Sequence, residues 1–267
     1  MSSGQTAQAD PLQSRLAIAE RLARTAGDKA RAFFLNRDAL HAMSKSDSQD
    51  LVSEADRAIE AWLRAAIREA FPEDGIVGEE EAASEGSSGF VWVIDPIDGT
   101  MPFLVGQPNW TVSIGVAWEK RPVIGVIFAP MMDELYAAVE GGGARLNGRP
   151  LTINADWTIA STTIGFGATQ KASPREVGAF TEALYHAGGV LFRVGSGALM
   201  LAYVAASRLA GYYDPILYCW DCWAGIVLVR EAGGVVTFDG DLATPGPMWA
   251  GNRRVHDELR RLSHGTP

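Results

Sequence analysis

The feature that most constrains this chain is an apolar run that ends in two aspartates three positions apart. The run covers residues 90–94 and continues as Asp95-Pro96-Ile97-Asp98-Gly99-Thr100. An apolar segment closed by turn-forming residues predicts a buried strand that ends by pointing carboxylates out of a sheet. We expect Asp95 and Asp98 to lie around a turn, close enough to share a cation. An Asp-Gly turn with a capping aspartate is the simpler interpretation of the same residues.

Two further stretches supply carboxylates. Glu79 follows a short apolar pair and lies within Gly78-Glu79-Glu80-Glu81, which is typical of a second strand ending in acids. Asp221 follows Trp220 and precedes a long apolar helical pattern, where a helix N-cap belongs. Together Glu79, Asp95, Asp98 and Asp221 form an all-oxygen ligand set, and such ligands suit Mg²⁺. The sequence therefore predicts a magnesium site.

These segments, in this order, resemble the inositol monophosphatase family. Its members carry G-E-E, then D-P-[IL]-D-G-T, then a late W-D before a helix rich in alanine and glycine, and the resemblance runs from about residue 45 to about residue 252. It implies the layered αβαβα sandwich of the inositol monophosphatase and fructose-1,6-bisphosphatase type. It also implies a Mg²⁺-dependent, lithium-sensitive phosphatase that forms a homodimer.

The resemblance assigns a role to each site residue. Glu79, Asp95 and the Ile97 carbonyl would hold one ion. Asp95, Asp98 and Asp221 would hold a second, with two or three Mg²⁺ ions in all. Thr100, held by Asp56, would orient the attacking water together with Glu79, although Asp56 could instead be a capping acid alone. The residues expected to bind substrate are Lys45, Asp98, Gly99, Thr100, Gly195, Ser196, Asp214 and Asp221.

The implied activity is phosphoric monoester hydrolysis of a small polyol phosphate by metal-activated water attack, with inositol 1-phosphate as the first candidate. Two departures from the family bear on the substrate: Met101-Pro102 replaces T-N, and Asp214 replaces the glutamate of inositol-specific relatives. Histidinol phosphate, 3′-phosphoadenosine 5′-phosphate and sugar phosphates are the alternatives within the family. A non-catalytic regulatory partner protein with the same fold is the alternative of a different class.

Composition excludes several other classes. With 23 basic and 32 acidic residues the net charge is −9, so no basic field attracts nucleic acid or an anionic membrane. The first ten residues lack an apolar signal core and no run approaches the ~20 apolar residues of a membrane span, so we expect a soluble cytoplasmic protein. The C-x-x-C pair Cys219 and Cys222 is interpreted as packing cysteines, ahead of a redox pair.

Periodicity predicts an α+β half at 11–153 followed by an α/β half at 154–267. Because no linker is visible between them, we expect one domain over residues 1–267. The first half would hold a helix at 11–35, a second helix capped by Ser53 and ended by Phe71-Pro72, and an antiparallel meander at 110–117, 122–129 and 134–139. Gly141-Gly142-Gly143 is interpreted as a turn. The second half would alternate helices at 174–186, 198–208, 221–232 and 255–262 with strands at 162–165, 189–193, 210–213, 235–238 and 248–251.

Overall fold

A computed structural model of the chain describes residues 10–43, 48–169 and 172–264, with side chains from 10–36, 54–169 and 172–264. The described residues form seven helices and twelve strands. The helices are α1 Pro11–Met43, α2 Ser48–Ala70, α3 Thr100–Leu104, α4 Pro174–His186, α5 Gly197–Ala205, α6 Cys219–Glu231 and α7 Arg253–Ser263. The strands are β1 Gly75–Gly78, β2 Phe90–Asp98, β3 Thr111–Trp118, β4 Arg121–Ala129, β5 Glu134–Val139, β6 Gly143–Leu146, β7 Arg149–Pro150, β8 Thr163–Phe166, β9 Val190–Phe192, β10 Gly211–Leu217, β11 Val235–Phe238 and β12 Gly246–Gly251.

The strands form two sheets. The first has the order β1-β2-β3-β4-β5-β6-β7, in which β1 is parallel to β2 and every later pair is antiparallel. The second has the order β11-β12-β10-β8-β9, with parallel pairs at β10-β8 and β8-β9. The meander predicted from the short β-rich runs is therefore confirmed.

Three apolar clusters divide the molecule into layers. One packs α1 and α2 on the outer face of the first sheet. The second packs α5 and α6 between the two sheets, and the third packs α4 and α7 on the outer face of the second sheet. The order helix, sheet, helix, sheet, helix confirms the predicted αβαβα sandwich.

Glycines let α6 lie directly on the first sheet. A Cβ at Gly125 in β4 would overlap the carbonyl oxygen of Ala224, and one at Gly115 in β3 would lie 3.2 Å from the Ala224 nitrogen. On the other side of α6, a Cβ at Gly225 would overlap Leu201 of α5. Because no side chain separates α6 from β3 and β4 at these positions, the helix is held directly against the sheet that carries Asp95 and Asp98.

Most predicted elements form close to their expected positions, and two boundaries are corrected. α1 continues beyond residue 35 to Met43, and α2 begins at Ser48, so the N-cap predicted at Ser53 is wrong. The physical reason is that Leu51 extends the four-residue spacing of Ala55 and Ile59, so the helical pattern starts earlier than the cap signal. The end of α2 at Ala70, before Phe71-Pro72, is confirmed.

None of the described helices combines the length and the apolar character needed to cross a bilayer.

The close contact between α6 and the sheet predicts opposite effects for one substitution at two glycines. Gly125→Ala should lower the free energy of unfolding by about 1–3 kcal/mol, because its methyl group has to displace backbone. Gly178→Ala in α4 should raise it by about 0.5–1 kcal/mol, because a Cβ there meets nothing within 4 Å and alanine favours a helix. Urea unfolding of both variants measures the difference. Equal effects would contradict the account of α6 packing.

Candidate active site

A bulge in β2 places Asp95 and Asp98 on one face of the first sheet. Asp95 pairs with Ser113 and Asp98 pairs with Thr111, so β2 uses one residue more than β3 over this interval. Side chains alternate between faces along a regular strand, so residues three apart would point in opposite directions. The extra residue cancels that alternation. The predicted turn between the two aspartates is therefore wrong, because both lie within β2.

The N-terminal end of α5 holds the Asp98 carboxylate. Oδ2 accepts hydrogen bonds from the Ala198 amide at 2.8 Å, from Thr111 Oγ1 at 3.2 Å and from Ser196 Oγ, and Oδ1 accepts from the Gly197 amide at 3.1 Å. Ser196 also caps α5 by accepting from the Leu199 amide at 3.1 Å. The free amides and the dipole at this helix end stabilise a negative charge.

Asp221 enters the same space from the start of α6. It is the third residue of the helix, not the N-cap as predicted, because the helix begins at Cys219. Its Oδ2 accepts from the amide of Tyr218, the N-cap residue, at 3.0 Å, which is the acidic half of a capping box. Ser113 of β3 donates to the Trp220 carbonyl at 3.1 Å and so ties the helix start to the strand beside Asp95.

The three aspartates converge. Asp95, Asp98 and Asp221 each offer one carboxylate oxygen, and these oxygens all lie within 4.8 Å of one another. Burial raises the pKa of each, and the neighbouring acids raise the pKa of Asp95 and Asp221 further. A hard divalent cation would relieve this repulsion, since carboxylate oxygens are its preferred ligands. The donor set therefore fits a metal of the Mg²⁺ class.

Glu79 and Asp56 border the three aspartates. Parallel pairing sets Gly78, the last residue of β1, beside Ile94, so Glu79 emerges next to Asp95. Glu79 is exposed, yet its charge is among those that raise the pKa of Asp95, Asp56 and Asp221. Asp56 lies buried on α2, and burial, followed by the charges of Glu79, Glu80 and Glu60, raises its pKa to about 9.

The backbone after the aspartates takes a special conformation. Ile97 is buried and donates its amide to Asp95 Oδ1 at 2.9 Å. Gly99, the N-cap residue of α3, has φ 101°, and a Cβ there would lie 3.1 Å from the Asn109 carbonyl oxygen, so both conformation and space favour glycine. Thr100 begins α3 and is exposed, and among the hydrogen bonds of the described side chains none joins it to Asp56.

The residues predicted to bind substrate differ in their surroundings. The Ser196 hydroxyl donates a hydrogen bond to Asp98. A Cβ at Gly195 would lie 3.0 Å from Pro102 Cγ, so the substitution at Met101-Pro102 lies next to Gly195. Asp214 is buried in β10, where its oxygens accept from the Tyr212 hydroxyl at 2.7 Å and the Ile216 amide at 3.0 Å. Burial raises the pKa of Asp214 to about 6. Lys45 lies outside the described residues.

Two residues of this region with hydroxyl side chains were not predicted from the sequence. Thr111 and Ser113 are fully buried on β3 and hold Asp98 and the start of α6. The signal was the occurrence of two polar residues two positions apart in an otherwise apolar strand, which places both on one face.

The cysteine pair takes no part in this cluster of acids. Cys219 and Cys222 are free and buried, and their thiols donate to the carbonyls of Leu242 at 3.5 Å and Tyr218 at 3.1 Å. Burial raises the pKa of both thiols, that of Cys219 to about 12. Protonated, enclosed thiols are poor nucleophiles, in agreement with the interpretation as packing cysteines.

A protein family and several known proteins are similar to this chain over most of its length. The sequence model of the inositol monophosphatase family matches residues 11–261. The Nus factor SuhB of Escherichia coli (strain K12) is 40% identical over 250 residues, 90% of this chain and 92% of that protein. An inositol-1-monophosphatase of Mesorhizobium japonicum is 40% identical over 217 residues, 79% of this chain and 81% of that protein. The solved inositol monophosphatase of Anabaena (Nostoc) sp. PCC 7120 superposes with a TM-score of 0.83 at 32% identity, covering 97% of this chain and 98% of that chain.

The contacts of Ser196 predict a test of the site's framework. Ser196→Ala should lower the free energy of unfolding by about 0.5–2 kcal/mol, because it removes a helix cap and a hydrogen bond to Asp98. Ser173→Ala is the matched control, since Ser173 occupies the N-cap of α4 without making a side-chain cap bond. Urea unfolding compares the two, and an equal loss would show that the α5 cap contributes nothing.

Proposed function

The chain belongs to the inositol monophosphatase family, and from this premise we propose that it is a Mg²⁺-dependent phosphoric monoester hydrolase that acts on a small polyol phosphate. The observation that carries the proposal is the convergence of Asp95, Asp98 and Asp221, one oxygen from each within 4.8 Å of the others. The phosphate of a monoester is an anion, and an acidic chain needs bound cations to attract it.

The ligands would be Glu79, Asp95 and the Ile97 carbonyl for one ion, and Asp95, Asp98 and Asp221 for another. When bound, such ions lower the pKa of a water molecule and stabilise the charge on the phosphoryl oxygens. The chain's own groups supply orientation. Asp98 is fixed by four hydrogen bonds from its surroundings, and Asp221 by the Tyr218 amide.

Glu79 and Thr100 would orient the water, and Asp56 on α2 would hold Thr100. The exposure of Thr100 at the start of α3 supports this role, since a residue that orients water must be accessible. The backbone at Gly99 and Thr100 would contact the phosphate group, as the resemblance implies. Lys45, Gly195 and Ser196 complete the proposed substrate contacts.

Inositol 1-phosphate is the first candidate substrate, because a relative at 40% identity is named an inositol-1-monophosphatase. The internal hydrogen bonds of Asp214 weigh against strict inositol specificity, since both of its oxygens already accept from Tyr212 and Ile216. Histidinol phosphate, 3′-phosphoadenosine 5′-phosphate and sugar phosphates therefore stay in the set to be tested.

A regulatory role is the second candidate function. It is favoured by the names of several relatives, including a Nus factor SuhB at 40% identity over 90% of this chain. In that case the fold would serve as a partner protein, and catalysis would be lost or incidental. The intact acidic cluster favours the enzyme over this alternative.

We also propose how the chain is organised and assembled. One domain is favoured because both sheets pack on the shared α5 and α6 layer. A homodimer, lithium sensitivity and a cytoplasmic location stay predictions from the sequence and the resemblance.

The function is tested by phosphate release from inositol 1-phosphate, histidinol phosphate, 3′-phosphoadenosine 5′-phosphate and fructose 1,6-bisphosphate, with Mg²⁺ or with EDTA. We expect turnover of at least one ester to require Mg²⁺. Asp95→Asn should lower it by more than about 100-fold, because loss of outer contacts alone costs ~10- to 100-fold at metal sites. Asp156→Asn, at an exposed aspartate, is the control and should leave turnover unchanged.

The outcomes separate the two candidate functions. If wild type and Asp95→Asn are equally inert on every ester with Mg²⁺, the enzymatic proposal fails and the regulatory role takes first place. A strong preference for one ester would identify the substrate class.

A further inference from the structure

We infer that Glu60 and Arg64 of α2 are positioning residues, which fix the loop that presents Glu79 to the three aspartates. The inference rests on the proposed metal site. It assigns a role to a buried ion pair that neither the ligand set nor the proposed water-orienting residues include. Both side chains are almost fully buried, Glu60 at 0% and Arg64 at 1% exposure.

The pair holds the loop backbone through three hydrogen bonds, and a fourth joins the carboxylate of Glu60 to the guanidinium group of Arg64. Glu60 Oε1 accepts from Arg64 Nε at 2.8 Å and from the Glu81 amide at 3.1 Å, while Oε2 accepts from the Glu80 amide at 2.9 Å. Arg64 Nη2 donates to the Glu81 carbonyl at 2.9 Å. Both backbone polar groups of Glu81 and the amide of Glu80 are thus bound to α2.

These contacts lie on both sides of Glu79. On the preceding side, a Cβ at Gly78 would overlap the Glu60 carboxylate, so Gly78 leaves the space that this carboxylate fills. On the following side, the amides of Glu80 and Glu81 are held by the same carboxylate. The Glu79 side chain is exposed, and the position of its backbone limits how closely its carboxylate can approach the three aspartates. Fixing that backbone therefore sets where the Glu79 side chain begins relative to Asp95.

Arg64 also balances the charge of Glu60. Asp56, Glu79 and Glu80 lie close enough to interact electrostatically with one another or with Glu60. A buried carboxylate without a cationic partner would add to that repulsion and carry a large desolvation cost. An apolar pair of similar volume would stabilise α2 equally well but could not accept the loop amides. The ionic pair is therefore suited to positioning the loop rather than to stability alone.

A second buried ion pair supplies a matched control. Arg15 and Asp74 are joined by two hydrogen bonds of 2.8 Å, and Asp74 also accepts from Trp92 and Ser88. Both residues are buried, but Asp74 is no part of the converging acids. Breaking this pair should cost stability without altering metal binding.

The test measures Mn²⁺ affinity by isothermal titration calorimetry on the full chain, without substrate. The proteins are wild type, Glu60→Gln, Glu79→Gln, the double variant and Asp74→Asn. In Glu60→Gln an NH₂ group replaces one carboxylate oxygen, and this group cannot accept a hydrogen bond. We therefore expect the Mn²⁺ affinity to fall ~10-fold, as it does when residues that hold the ligands of a metal are lost. In the Glu79→Gln background the same change should cost less than about 2-fold, because Glu60 acts through Glu79. Asp74→Asn should retain the affinity of wild type.

Three results would overturn the inference. They are an unchanged affinity in Glu60→Gln, an equal loss with and without Glu79, and an equal loss in Asp74→Asn. If Glu60→Gln does not fold, Arg64→Lys replaces it, since lysine keeps the charge but cannot bind Glu60 and the Glu81 carbonyl in the same geometry. Its loss of affinity should likewise disappear in the Glu79→Gln background, and persistence of the loss there would overturn the inference.

The two proposals fail in different ways. A wild-type protein that binds Mn²⁺ but hydrolyses no ester contradicts the proposed function and leaves the positioning role open to the same titration. A wild-type protein that hydrolyses an ester while Glu60→Gln binds Mn²⁺ normally contradicts only the positioning role.

Discussion

The structure depends on the crowding of negative charge around Asp95, Asp98 and Asp221. Burying carboxylates together is unfavourable, and each of these groups has its pKa raised by burial. The fold nevertheless brings them together by three devices: a bulge in β2, the N-terminal end of α5 and the first turn of α6. Amide donors at the two helix ends offset part of the repulsion, and a cation would offset the rest.

The layered architecture explains how the β2 bulge and the starts of α5 and α6 come to lie close together. α5 and α6 lie between the sheets. Glycines at positions 115 and 125 let α6 contact β3 and β4 without intervening side chains, and Gly225 leaves room for the Leu201 side chain of α5. The helix starts are therefore fixed relative to the bulge. On the opposite side of β2, α2 reaches the loop after β1 through Glu60 and Arg64. The site is thus assembled by two groups of elements, one from residues 48–98 and one from residues 197–231, that are distant from each other in sequence.

The sequence predicted the elements and the acids better than their geometry. Helices and strands followed from apolar periodicity, and Asp95, Asp98 and Asp221 were selected because strand ends and helix starts carry polar groups. The bulge was not predictable, since the single inserted residue shows only in the pairing of β2 with β3. The Glu60–Arg64 pair was missed because charged residues four apart on a helix are normally exposed.

The most direct test of the central claim is a crystal structure of the wild-type protein grown with Mn²⁺ and measured at an anomalous wavelength. The account predicts anomalous density between the carboxylates of Asp95, Asp98 and Asp221, with Glu79 directed toward the same ions. Density confined to other acidic groups, or a well-ordered site in which these carboxylates hold no ion at millimolar Mn²⁺, would contradict it.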